Sequence, residues 1–318
     1  MRIFSNHNPA KRWAFSTIIE NLKSEIPEME LIGKPDNSTV NLIMAVSGIK
    51  RNDINLKNTI VRIGSLREMQ NKDQALLECL KRVWGVIALS DTLLELALRH
   101  NRNSRLIPNG LDLRKWSLIR NGNMSRSRLS VGFAANISTP DKRAHKGFDY
   151  VLEACRLLNC DLVTALYLEN QIDNDRMMDC FYHKIDVFVL PTLSEGCSNA
   201  IMEALACGVP VITTKCVGYH GERLKDYDNV LFCERSADSV ATCIDALIKK
   251  PNMRKDIGIQ GRIFAESNHD IRIIAAEYAD MFSEIGKNCN INDDRRLEIR
   301  EALLKLKNDL DKILEILK

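Results

Sequence analysis

Short apolar runs alternate with helical stretches along the first hundred residues. Arg2 to Ser5 reads as a strand and Lys11 to Ser24 as a helix, and Val40 to Val46 and Thr59 to Ile63 are strand-like. Asp73 to Arg82 is helical and Val86 to Ser90 a strand. Asp91 to His100 is a helix opened by Asp91 as its N-cap. Arg105 to Ile107 is a last short strand, ending in Pro108-Asn109-Gly110. Strands alternating with helices predict a parallel sheet with helices on its faces.

Residues 119–128 (IRNGNMSRSR) carry Gly, Asn and Ser without an apolar period, which marks a linker. The alternation then restarts. Leu129 to Phe133, Leu162 to Leu168, Val187 to Leu190 and Val211 to Thr213 read as strands. Phe148 to Leu158, Arg176 to His183, Ser198 to Cys207 and Ile271 to Ile285 read as helices. Two α/β halves joined by a polar linker form a cleft, and such sheets bind ligands at the carboxyl ends of their strands. In the tail, Ile299, Leu303, Leu306, Leu310, Ile313 and Leu317 follow a 4-3-4-3-4 spacing with charges between them. That pattern suits a short coiled-coil seam for self-association, or a helix packed on its own domain.

Composition narrows the class. With 318 residues, 45% apolar and 27% charged, the chain is long enough for two globular domains. No apolar run approaches the roughly 20 residues that span a bilayer. The first residues lack the apolar core of a signal peptide, so the expected compartment is the cytoplasm. The ten cysteines are scattered with no CxxC pair, which predicts reduced thiols and no zinc site. The net charge of +3 is uneven. Residues 1–128 hold 21 Lys/Arg and 12 Asp/Glu, a net +9, and the remainder holds 24 and 30, a net −6. A basic first half fits an anionic partner, such as a phosphate-bearing acceptor, an acidic membrane surface or nucleic acid, or simply a solvated basic face.

The densest chemistry lies in Ser194 to Pro210, SEGCSNAIMEALACGVP. Glu195-Gly196-Cys197-Ser198 falls at a strand-to-helix turn. Free backbone N–H groups and the positive end of the helix dipole favour a phosphate there. Gly196 permits close backbone approach. Ser198 or Asn199 can cap the helix or donate from its side chain. Glu203 lies about 12 Å further along the helix, where a carboxylate can accept two hydrogen bonds from a ribose diol. The pattern suits a nucleotide diphosphate. A dinucleotide-binding dehydrogenase is excluded, because no GxGxxG follows a strand.

SEGCSNAIMEALACGVPVITT closely resembles the carboxy-terminal signature of the GT-B-type retaining glycosyltransferases of the family-4-like group, the glycosyl transferases group 1. Four further segments agree in order: Trp84 to Thr92; Leu106 to Asp112 (LIPNGLD); Val131-Gly132 with Lys146-Gly147 and Leu152-Glu153-Ala154; and Val217 to Glu222 (VGYHGE) with Asn229 to Phe232. The resemblance implies an α/β GT-B fold: two Rossmann-like domains facing across a cleft, here with a C-terminal helical, coiled-coil-like tail. The domains are then 1–118 on the acceptor side, 129–285 for the nucleotide sugar with a closing helix, and 290–318 as an amphipathic helix. It implies that Lys146 contacts the donor pyrophosphate and Glu195 lies beside the transferred sugar. Backbone at Gly196, Cys197, Ser198 and Asn199 binds phosphate or sugar, and Glu203 binds the ribose.

The implied activity is metal-independent, retaining transfer from a nucleotide diphosphate sugar to a glycan, lipid-linked or other anionic acceptor, with no cofactor. The implied setting is cytoplasmic, peripheral to the inner membrane surface through the basic half, with a homo-oligomer formed through the C-terminal helix. Two departures stand out. Phe133 occupies the position where the family usually carries an Arg, leaving Lys142, Arg143 or His145 in the following loop as candidate replacements. The first half is also short for an acceptor domain. Both features suit an alternative reading, a non-catalytic GT-B-like scaffold.

Overall fold

The computed structural model describes residues 1–5, 14–34, 39–45, 56–69, 74–118 and 128–288. The first half runs β1 (Arg2–Ser5), α1 (Ala14–Glu25), β2 (Glu30–Ile32), β3 (Val40–Ile43), β4 (Thr59–Ile63), α2 (Leu66–Met69), α3 (Gln74–Leu80), β5 (Gly85–Ala88), α4 (Asp91–Leu98) and β6 (Ser104–Leu106). Its six strands form a parallel sheet in the order β2-β1-β3-β4-β5-β6.

The second half runs β7 (Ser130–Ala135), α5 (Pro140–Lys146), α6 (Phe148–Leu158), β8 (Asp161–Leu166), α7 (Met177–Cys180), β9 (Val187–Leu190), α8 (Asn199–Ala206), β10 (Val211–Thr213), α9 (Tyr219–Arg223), β11 (Leu231–Phe232), α10 (Ala237–Lys249), α11 (Pro251–Asn268) and α12 (Ile271–Asn288). Its sheet is also parallel, in the order β11-β10-β9-β7-β8. Chain order reverses between β7 and β9, so the loops leaving these two strands diverge and open a crevice at their carboxyl ends. The predicted pair of α/β halves is present, and the architecture is GT-B. No helix among the described residues is long and apolar enough to cross a membrane.

Several elements differ from the sequence reading. Ser90, not Asp91, caps α4: its extended backbone (φ −150°) lets its hydroxyl accept the Leu93 N–H at 3.3 Å. The helix expected over Arg176 to His183 breaks into a 3₁₀ turn, the four-residue α7 and a second 3₁₀ turn at Tyr182–Lys184. Phe181 leaves helical geometry at φ −131°. Both Phe181 and Tyr182 thereby enter the core, edge-to-face at 4.9 Å. The loop expected before Lys146 is helical, for reasons visible in its ends. Thr139 caps it, Pro140 begins it, and Gly147 closes it in the left-handed conformation at φ 69°.

The domain boundary at 285 needs correction. Ile271, Ile274, Ala275, Tyr278, Met281, Phe282 and Ile285 form one helical stripe, and all are buried in the core of the first half. The chain therefore crosses back between the halves at Asp270, and α12 belongs to the first. Leu111 meets it there, its N–H donating to the His269 carbonyl at 2.7 Å and its carbonyl accepting from Ile271 N–H at 3.0 Å. The predicted linker, apart from Arg128, and the predicted tail helix lie outside the described residues, as do Lys11 to Trp13, Val46 and Asp73.

Candidate functional site

The β7 and β9 loops bring two sequence-predicted residues into contact across 49 positions. Lys146, the last residue of α5, forms an ion pair with Glu195. Both are partly exposed, at 22% and 16% of the side chain, so the pair faces the crevice rather than the core. The carboxyl end of α5 would ordinarily present unsatisfied carbonyls. Arg235 takes them, donating to the Ala144 and His145 carbonyls and, at 3.1 Å, to the Pro191 carbonyl. Arg235 thus holds the end of α5 against the strand that leads to Glu195, leaving the Lys146 ammonium available to the crevice. Nothing local in the sequence marks Arg235 for this role, 89 positions from Lys146.

The Glu195 loop is braced by both backbone and side-chain hydrogen bonds. Glu195 N–H donates to the Val217 carbonyl at 2.9 Å, and Tyr219 N–H to the Gly196 carbonyl at 2.7 Å. The His145 ring meets the Ser194 carbonyl at 2.8 Å. Ser198 caps α8, accepting from Ile201 N–H. From the first half, Asn109 donates to the Cys197 carbonyl at 2.9 Å and to Asn199 Oδ1 at 2.7 Å, while its own Oδ1 accepts from the buried Arg62. The Pro108-Asn109-Gly110 segment is therefore the clamp that fixes this loop across the interface. Gly196 makes its close approach to the backbone of Gly64: a Cβ there would overlap the Gly64 carbonyl oxygen. A second interface contact joins Asp91 to Arg223, with Glu222 accepting the Asp91 N–H at 2.7 Å.

Lys146, Glu195, Gly196, Ser198 and Asn199 come together at the crevice. Cys197 lies in the same loop, but its side chain turns away into the core of the first half. Burial pushes its thiol up to about 12, so it is no free thiolate. His220 and His269 pack beside it, both fully buried. Burial holds both imidazoles neutral, with His269 lowered to about 4.

Glu203, expected as an open ribose acceptor, is only 6% exposed. Tyr182, brought inward by the break after α7, donates to its Oε2 at 2.8 Å. Burial pushes the carboxyl up to about 7, with the Tyr182 hydrogen bond pulling the other way. The fold therefore binds more protons here than the unfolded chain between pH 4.5 and 7. Stability is full below that window and falls as pH rises through it, by about 3 kcal/mol. Glu203→Gln should flatten this slope in urea unfolding at pH 5 and pH 8. An unchanged slope would refute the assignment.

Phe133 is a core residue, fully buried and edge-to-face with Phe148 at 4.9 Å. The candidate replacements for the missing Arg point elsewhere. Arg143 pairs with Asp149 and lies over the Phe148 ring at 4.4 Å. Lys142 donates to Ser138, and His145 is held on Ser194. The structure brings none of the three into contact with the Lys146–Glu195 pair.

Residues 170–264 match the family Glycosyl transferases group 1. The capsular polysaccharide biosynthesis glycosyltransferase CapM of Staphylococcus aureus is 33% identical over 103 residues, 32% of this chain and 27% of that protein. The N,N'-diacetylbacillosaminyl-diphospho-undecaprenol alpha-1,3-N-acetylgalactosaminyltransferase of Campylobacter jejuni is 27% identical over 103 residues, again 32% and 27% of the two chains. Across the first curated relatives the matches span 27% to 42% of the relatives' length. Anabaena HepE, solved in complex with UDP-glucose, superposes with a TM-score of 0.67 over 89% of this chain and 99% of that one. At 12% identity this is a likeness of fold. The chain thus folds as GT-B, and its segment 170–264 matches the glycosyl transferases group 1.

Proposed function

We propose that this protein is a retaining glycosyltransferase that moves a sugar from a nucleotide diphosphate sugar to a glycan or lipid-linked acceptor. The observation that carries the reading is the Lys146–Glu195 pair at the reversal of chain order, beside the amino end of α8. A diphosphate entering the crevice meets the Lys146 ammonium and the first-turn N–H groups that helix geometry leaves over. Positive charge at that point stabilises the leaving diphosphate more as its bond to the sugar breaks than before. The anomeric carbon exchanges its bond to the phosphate oxygen for one to the acceptor oxygen, and the acceptor proton passes to the departing phosphate. Glu195 lies beside the transferred sugar. Glu203 takes the ribose diol with the oxygen that Tyr182 leaves open. The transfer uses no metal.

A capsular-polysaccharide enzyme and a diphospho-undecaprenol-linked one among the relatives support an anionic, lipid-linked acceptor. The basic first half would then meet the membrane surface, and residues 290–318 would pair two copies. The test is a panel of nucleotide sugars, assayed for release of the diphosphate with and without an undecaprenyl-diphosphate-linked glycan. One donor should release its nucleotide in an acceptor-dependent way. Phe133, packed into the core in place of a cation, favours a second reading as a non-catalytic scaffold. Calorimetry with uridine and guanosine diphosphates separates the two. No binding of either nucleotide, with no turnover on the panel, would overturn the transferase and leave the scaffold.

A further inference from the structure

Beside the Glu195 loop, where Cys197 turns into the core of the first half, three side chains of metal-ligating type converge. Cys197 Sγ and ring nitrogens of His220 and His269 all lie within 4.8 Å of one another. The residues are 7%, 2% and 0% exposed. His220 Nε2 and His269 Nε2 stand 3.2 Å apart. Two zinc–nitrogen bonds of normal length at a tetrahedral angle set their nitrogens about 3.3 Å apart, so the rings already stand at the bite of one ion. His269 Nδ1 donates to the Asn109 carbonyl at 2.9 Å, which fixes the tautomer that leaves its Nε2 lone pair facing His220. The Tyr219 ring packs edge-on against both imidazoles, at 5.7 and 5.1 Å, and shields them from water.

We propose that Cys197, His220 and His269 bind one zinc ion, which ties the Glu195 loop to α9 and to the chain crossing that leads into α12. Cys197 supplies a thiolate and each histidine a neutral Nε2; the thiol proton is released on binding. These three donors occupy three corners of the tetrahedron. Thiolate with two imidazoles is a donor set that suits zinc over magnesium or calcium. The ion acts structurally, through a Cys197 side chain turned into the core of the first half while Lys146 pairs with Glu195. It is therefore separate from the transfer chemistry, and its presence does not depend on which sugar, if any, the protein transfers.

The competing arrangement is a proton shared between the two imidazoles with the thiol as bystander, and metal content distinguishes the two. Protein grown with added zinc and purified without chelator should carry about one zinc per chain by mass spectrometry of the metal. Cobalt exchanged into the same protein should show tetrahedral visible bands and a thiolate-to-cobalt band in the near ultraviolet. Cys197→Ser should abolish the thiolate band, and His269→Gln should lower zinc content at least tenfold. The parent's cobalt spectrum needs no variant to fold. A folded parent that takes up neither metal overturns the proposal. So does zinc uptake that survives in a folded Cys197→Ser, His269→Gln double variant.

Discussion

Alanine at Lys146 should lower turnover of the nucleotide sugar by about 10²–10³-fold, the usual loss when one preorganised charge at a leaving group is removed. That is about 3–4 kcal/mol of transition-state stabilisation. The effect should be this large because, among the described residues, the candidates for a second cation are engaged elsewhere. Phe133 is buried in the core, and Arg143 is committed to Asp149 and Phe148. Glu195→Ala should fall by a similar factor, and the double variant should lose much less than the product of the two, because the groups act as a pair. Steady-state kinetics, with circular dichroism to confirm the fold, checks this. Turnover equal to the parent's in a folded Lys146→Ala protein would remove the residue from the mechanism.

Alanine at Gly196 should destabilise the protein by about 3 kcal/mol and also depress activity. The added methyl has to enter space held by the Gly64 carbonyl of the first half, with backbone on both sides and no side chain able to rotate away. Relief comes only by separating the halves or shifting the Glu195 loop, and either breaks the Asn109 bonds to Cys197 and Asn199. Gly286→Ala is the control. Its Cβ meets nothing within 4 Å, and inside α12 the change should be neutral or stabilising by up to about 1 kcal/mol. Urea unfolding of the three proteins reads the difference. Equal stability of the Gly196 and Gly286 variants would mean that the two backbones do not meet.

The candidate site was legible in the sequence where its geometry is local. Glu195, Gly196 and the Ser198 cap share one strand-to-helix turn, and a turn is a matter of a few neighbouring residues. Lys146 is marked by resemblance alone, and Thr139, Pro140 and Gly147 mark both ends of its helix. Glu203 shows the limit. Its position along α8 was predictable from helix rise, but its burial depended on Tyr182, delivered by a break in a different segment.

By itself the sequence determined two parallel α/β halves, through the period of their apolar residues, and a phosphate-suited turn, through its glycine, cap and acids. Tertiary structure alone decided which core α12 fills, since an apolar stripe specifies that a helix is buried and not where. It alone joined Asn109 to Cys197 and Asn199, and Arg235 to the end of α5. It also assembled Cys197, His220 and His269, 23 and 49 positions apart, where the lack of a CxxC pair had argued against zinc. Local patterns record the conformational preference of neighbours, whereas these contacts exist only once two sheets have closed on each other and distant backbone has come within hydrogen-bonding range.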